Sequence, residues 1–225
     1  RKTWTWSGWI KRTEVTSSSD EHYIYTAHSG SNYFAFYFVG NKLGSYFGTG
    51  SNYGAISDRL FRDVSSWYHI VHQVDAANTT QKVWVNGEEQ TLNSSRNPGN
   101  SNYPMNESSV PMVIGKHSWG SSSFNNMYLA EVNYTDGQKY AASDFGETKN
   151  GVWIPKNPSV TYGTNGYRLQ FNQTGVGTAS SSTIGADTSG NTNHYTSTNI
   201  AASDCAMPDS PENNFATGNP LIPIP

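Results

Sequence analysis

The chain has 225 residues, a formal net charge of −3, 14% charged and 13% aromatic residues, and one cysteine, Cys205. Its scattered basic residues form no stripe for a nucleic acid to follow, no run of about 18 apolar residues is present to span a membrane, and one thiol closes no intrachain disulfide. A length of this kind fits one large β-sandwich or two small domains. The abundance of aromatic residues, Gly, Ser, Thr and Asn against sparse Ala, Leu, Glu and Lys points to strands and turns rather than long helices. The lack of disulfides favours folding in a reducing cytosol, bacterial or viral, over an extracellular animal setting.

Residues 3–11 alternate with period two, so Trp4, Trp6, Gly8 and Ile10 share one face and Thr3, Thr5, Ser7, Trp9 and Lys11 the other. Residues 22–28 and 33–39 read as aromatic-rich strands joined by the turn residues Ser29, Gly30, Ser31 and Asn32. The second of them is apolar on both faces, as a strand between two packed layers would be. A further strand is expected near 42–48. Residues 67–75 and 82–85 form the next pair, and Asn86-Gly87 then makes a two-residue hairpin turn into a third strand, because both central positions need positive φ. Residues 93–109 read as a long polar loop, 110–116 and 124–134 as strands, 140–145 as a short helical turn, and 152–154 and 167–171 as extended pieces. From 173 the sequence is rich in Gly, Ser, Thr and Asn, and Pro220, Pro223 and Pro225 mark an extended tail. The expected fold is all-β: a two-sheet antiparallel β-sandwich over 1–172, with an irregular C-terminal extension over 173–225 that wraps the sandwich or links to a neighbour.

Three segments carry a resemblance. Trp4-Thr5-Trp6-Ser7-Gly8-Trp9-Ile10-Lys11, the hairpin from Trp67-Tyr68-His69-Ile70-Val71 to Val83-Trp84-Val85-Asn86-Gly87, and Val113-Ile114-Gly115 with Met127-Tyr128-Leu129-Ala130-Glu131-Val132 resemble the concanavalin A-like lectin/glucanase jelly rolls, in their laminin G-like/pentraxin-like branch. A narrower likeness, through residues 129–138, Asp144-Phe145-Gly146-Glu147, Gly151-Val152-Trp153-Ile154-Pro155, Asp187-Thr188-Ser189-Gly190-Asn191 and residues 210–217, is to marine and freshwater phage virion surface proteins. Such relatives carry one more strand before the position of Trp4, so the resemblance implies a piece of a longer protein. It also implies a tail-fibre, head-fibre or capsid-decoration module on the virion surface, partnered by copies of itself or by other virion proteins. A purely structural virion protein and a bacterial secreted or cell-surface lectin are the competing readings.

The glucanases of the superfold use two carboxylates flanking the glycosidic bond, on a Glu-x-Asp-x-x-Glu strand that this sequence lacks. Glu88 and Glu89 adjoin and face opposite ways, and Glu131 stands alone, with an inward or rim carboxylate bonded to backbone as its plain reading. The chain is therefore expected to be non-catalytic and to need no cofactor. Sugar sites pair an aromatic platform with polar groups on loops. His117, Trp119, Asn125 and Asn126 fit that pattern and are the candidate carbohydrate-binding residues, for a cell-surface polysaccharide; the alternative is that Trp119 caps the sandwich or fills an interface. Asp187, Ser189 and Asn191 alternate in a Gly-containing loop and could offer three oxygens to Ca²⁺, or form an Asx turn without an ion. His69 and His72 are three apart on a strand and face opposite sides, which leaves them no shared metal.

Overall fold

The structure, a computed structural model, describes all residues except 16, 18, 19, 50, 51, 94–96, 106, 108, 120–123, 206–208 and 214–225. The proline-rich end thus lies outside the described residues. Two six-stranded sheets stack as a sandwich. The first runs in the order β14 (Tyr167–Leu169), β11 (Met127–Asp136), β1 (Thr3–Arg12), β6 (Trp67–Asp75), β7 (Thr80–Val85), β8 (Glu88–Glu89). The second runs β10 (Met112–Ile114), β2 (Glu21–Ser29), β3 (Asn32–Val39), β4 (Lys42–Thr49), β5 (Asn52–Ser57), β9 (Leu92–Asn93). A separate hairpin pairs β12 (Gly146–Lys149) with β13 (Val152–Pro155). The pairings within the sheets are antiparallel, as the alternating sequence requires.

The faces follow the period of two. Trp4, Trp6 and Ile10 of β1 enter the core between the sheets, while Ser7 and Trp9 face outward. Gly8 is small for a reason: a Cβ there would sit 2.5 Å from the Trp6 ring, which stacks on Tyr25 at 5.0 Å. At Asn86 and Gly87 φ is 51° and 85°, so the hairpin turn forms where the two residue types predict it. The loop over 93–109 is less polar in its role than in its composition. Tyr103 and Met105 are buried, and the Tyr103 ring packs edge-on against Phe47 at 5.0 Å and Trp4 at 6.2 Å, closing one end of the core. Beyond residue 172, Ile184 and Ala186 are buried and Tyr195 packs on Tyr167 at 4.8 Å, so this stretch lies against the first sheet.

Two side-chain insertions break the period. In β2 the register against β3 shifts between Tyr23 and Tyr25, with Ile24 as the extra residue. In β11 the register against β1 shifts between the partners of Ser7 and Trp9, and Glu131 adopts φ 48° there. The Glu131 carboxylate takes Arg168 Nε and Nη2 at 3.1 and 2.9 Å and Gln170 Nε2 at 3.1 Å, so side chains rather than backbone satisfy it.

A polar chain crosses the apolar core. Trp4 Nε1 donates to the Tyr25 hydroxyl (3.3 Å), which lies 2.8 Å from His72 Nδ1, and His72 Nε2 lies 3.0 Å from Gln81 Oε1, which also accepts from Ser45 Oγ at 2.9 Å. With Gln81 Oε1 as acceptor, His72 carries its proton on Nε2 and accepts from Tyr25 at Nδ1. The chain ties the first sheet (Trp4, His72, Gln81) to the second (Tyr25, Ser45). Burial pushes His72 and the outward-facing His69 down from 6.5 to about 3. Both are neutral when folded and free to protonate when unfolded, so their stabilisation is full above pH 6.5 and drains as pH falls toward 3. Each histidine contributes a slope of about 1.4 kcal/mol per pH unit in that window. In urea unfolding between pH 6.5 and 5, above the range where most carboxylates titrate, these two histidines are expected to contribute roughly twice that slope, and His72→Gln is expected to remove one histidine's share of it.

Candidate functional site

The outer faces of the two sheets differ. That of the first is roofed. Val71 and Trp84 are buried under Ala142 and Phe145, flanked by Trp153 and Val160. Trp153 lies so close over Gly87 and Gly146 that a Cβ on either would come within 2.7 and 2.6 Å of its ring. Its Nε1 donates to His69 Nδ1 at 2.9 Å, and His69 Nε2 lies 2.9 Å from Ser7 Oγ. Ser7 and His69 have the look of a nucleophile and its base, but the Trp153 donor holds the imidazole proton on Nε2. There it donates to Ser7 rather than taking its proton. His69 and His72 stand on opposite faces of β6, as their spacing requires.

Among the described residues, the outer face of the second sheet carries no such roof, and His117 and Trp119 of the loop after β10 lie along one side of it. The register shift at Ile24 creates this face. It sends Ile24 and Tyr25 together into the core and leaves Tyr23 beside Tyr37, on the same side as Thr26 and His28. On β3, Tyr33, Ala35 and Tyr37 follow the period of two, and on β4 they meet Gly48, Tyr46 and Gly44. The glycines let the tyrosines lie down. A Cβ at Gly48 would be 2.4 Å from Tyr33 Cζ, and one at Gly44 would be 3.1 Å from the Tyr37 ring. Tyr33 and Tyr46 stack at 5.0 Å with their hydroxyls 2.9 Å apart. The apolar character of both faces of β3 therefore does not mean two covering layers; one face is core and the other is this aromatic surface.

His117 and Trp119 join it. Their ring centroids are 3.8 Å apart, His117 lies 4.8 Å from Tyr23, and Trp119 lies 5.3 Å from Tyr33, 6.0 Å from Tyr23 and 5.7 Å from His28. Trp119 stays 36% exposed, on the outer side of the second sheet rather than in the core between the sheets. Together with Glu21, whose carboxylate accepts from the Tyr23 hydroxyl, these residues line a hollow of about 360 Å³ over Ala35. Burial pushes Tyr37 up to about 12 and raises Tyr23, with Glu21 adding to both, so these hydroxyls stay protonated donors. Burial lowers His117, which is neutral at pH 7.

Asn125 and Asn126 stand apart from the hollow. Asn125 Nδ2 donates to the Tyr23 carbonyl at 3.2 Å and its backbone N–H to Gly115 at 2.8 Å, so it fastens the loop base to β2. The Asn126 carbonyl accepts from Thr13 Oγ1 at 2.8 Å. Both border, together with His117, a different opening of about 1230 Å³ between β10 and residues 193–200, where Val110, Met112, Ile114 and Leu129 are partly exposed. The sequence reading had missed Glu21, Tyr23, Tyr33, Ala35, Tyr37 and Tyr46. The spacing of Tyr33 and Tyr37, with Gly44 and Gly48 flanking Tyr46, was the available signal.

The loop at Asp187 is closed on itself. Asp187 Oδ1 accepts from the N–H groups of Arg168 and Ser189, both at 2.8 Å, and Oδ2 from Ser189 Oγ at 2.9 Å and Asn193 N–H at 2.8 Å. Asn191 turns its amide donors to the Gly163 and Gly166 carbonyls. The Asp187 carboxylate lone pairs are thus taken by N–H and O–H donors, as in an Asx turn. No group of three or more His, Cys, Asp or Glu able to hold a metal occurs among the described residues.

Residues 1–143 match the profile of a family described as the concanavalin A-like lectin/glucanases superfamily. Among solved structures, a heptameric SAP-like pentraxin from Limulus polyphemus aligns at 16% identity and a TM-score of 0.43, over 59% of this chain and 63% of that one. The CBM40 module of an IT-sialidase from Ruminococcus gnavus aligns at 14% identity and a TM-score of 0.43, over 56% and 72%. Domain 4 of an extracellular GH43 arabinanase from Geobacillus stearothermophilus aligns at 16% identity and a TM-score of 0.43, over 59% and 60%. The alignments thus span less than two thirds of the pentraxin and arabinanase chains. No curated protein matches the sequence.

A Gly48→Ala variant tests the aromatic face itself. The new Cβ should displace the Tyr33 ring and break its stack on Tyr46, at a cost of about 1–3 kcal/mol. Thermal unfolding is expected to shift downward, with a changed near-ultraviolet circular dichroism and an unchanged far-ultraviolet spectrum.

Proposed function

The chain belongs to the concanavalin A-like lectin/glucanase superfamily, and from that membership we propose that it is a non-catalytic carbohydrate-binding protein whose site is the aromatic hollow on the second sheet. The observation that carries the reading is the pair of tyrosines laid flat over Gly44 and Gly48 beside an exposed Trp119. Rings held parallel to a sheet give the C–H face of a pyranose a surface to pack on. The Glu21 carboxylate and the tyrosine hydroxyls supply the few fixed polar groups that orient sugar hydroxyls. A shallow hollow of this kind binds weakly, at about millimolar strength. Many copies on one particle raise the effective concentration and gain about 10²–10⁴ in avidity. The setting we propose is the surface of a phage virion, as a fibre or decoration module attaching to host glycan. Its support is the sequence likeness through residues 129–138, 144–147, 151–155 and 187–191.

A second reading, a structural virion protein that only packs against its neighbours, draws on the partly exposed apolar side chains around the opening beside β10.

Glycan-array screening followed by calorimetric titration separates the two. Binding to a host polysaccharide that Trp119→Ala and Tyr33→Ala each weaken at least tenfold, with circular dichroism unchanged, is the expected result. A folded protein that binds particles and no host polysaccharide would favour the structural role. Incubation with laminarin or host capsule is expected to release no reducing ends.

A further inference from the structure

The lining of the hollow has a one-sided charge. Of its eight residues, Glu21, Tyr23, Tyr33, Ala35, Tyr37, Tyr46, His117 and Trp119, Glu21 is the one acidic residue, and no Lys or Arg is among them. Neither Lys42 nor Lys116 is part of the lining. Lys42 is opposite Val39, at the end of the face, and the Lys116 ammonium lies over the Phe124 ring at 5.1 Å. Burial lowers His117, and the remaining side-chain donors are the tyrosine hydroxyls and the Trp119 indole N–H.

Taking the carbohydrate reading above as its premise, we infer that the hollow selects uncharged saccharides and rejects those bearing carboxylate, sulfate or phosphate, with Glu21 as the discriminating residue. Recognition of an anionic sugar is built from guanidinium or ammonium donors, and the hollow offers none. Glu21 adds repulsion: two unit negative charges a few ångströms apart at a partly dry surface disfavour binding by about tenfold or more. Toward a neutral pyranose the same group is an asset. Its Oε2 accepts from Tyr23, which fixes the carboxylate's direction, and Oε1 remains to accept a sugar hydroxyl.

The experiment titrates the whole chain with matched pairs of saccharides, such as lactose and sialyllactose or dextran and dextran sulfate, at fixed ionic strength. The wild type is expected to bind the neutral member at least tenfold more tightly. Glu21 is exposed on the rim, so substitution there leaves the fold intact, which an unchanged thermal midpoint verifies. Glu21→Gln is expected to weaken neutral binding a few-fold and to shrink the discrimination by at least tenfold, and Glu21→Lys to reverse its sign. An anionic member bound as tightly as its neutral partner, in a manner that Trp119→Ala abolishes, overturns the inference and leaves the carbohydrate reading standing. Glycan binding that Trp119→Ala and Tyr33→Ala leave untouched, or no binding to any saccharide by folded protein, overturns the reading of the hollow and the inference with it.

Discussion

The extra residue Ile24 in β2 decides what the second sheet shows to solvent. A strand with strict alternation would put Tyr23 and Tyr25 on one face. The register shift between them instead commits Ile24 and Tyr25 to the core and turns Tyr23 outward. Bulges re-aim side chains in this way at the cost of a local break in the ladder. Here the gain falls on both faces at once. Tyr25 meets Trp6, Trp4 and His72 inside the sandwich, and Tyr23 meets Tyr37, His117 and Trp119 outside it.

The two faces are coupled through rigid packing rather than through any shared side chain. Inside, the hydrogen-bonded chain from Trp4 to Ser45 crosses between sheets and fixes their relative placement, because each buried donor and acceptor is costly to leave unpaired. Outside, the tyrosines are held down on glycines of the neighbouring strand, so their orientation is set by the sheet rather than by a mobile loop. His117 and Trp119 stand on a loop rather than on the sheet, and Asn125 ties that loop to the Tyr23 carbonyl. A preformed aromatic surface of this kind loses little conformational entropy on binding. The first sheet lacks the same opportunity, since Trp153 and its neighbours cover its outer face.

Much of the fold was legible from period and turn chemistry. The alternation through Trp4, Trp6 and Ile10 placed the core face of β1, and Asn86-Gly87 located the hairpin. The placement of the candidate site residues was legible in part. His117 and Trp119 stood out because a loop tryptophan is not forced inward, and they do converge. Asn125 was grouped with them by proximity in sequence, but its amide is spent on backbone, which no pattern reveals. Both bulges were invisible for a physical reason: an inserted residue shifts the phase of every side chain on one side of it, and sequence alone does not say where the shift falls. Strands β5 and β12 were missed because their composition, Asn52-Tyr53-Gly54-Ala55-Ile56-Ser57 and Gly146-Glu147-Thr148-Lys149, reads as loop and gains its extended form from neighbours.

The central claim is that the hollow over Ala35 is where ligand meets protein, and tryptophan oxidation read by peptide mass spectrometry tests it most directly. Of the seven tryptophans, Trp119 is the exposed one. It is expected to oxidise first in the free protein and to be shielded when a neutral oligosaccharide saturates the site, while Trp153 and the core tryptophans react alike in both states. Oxidation of Trp119 at the same rate with and without a saturating saccharide would contradict the account.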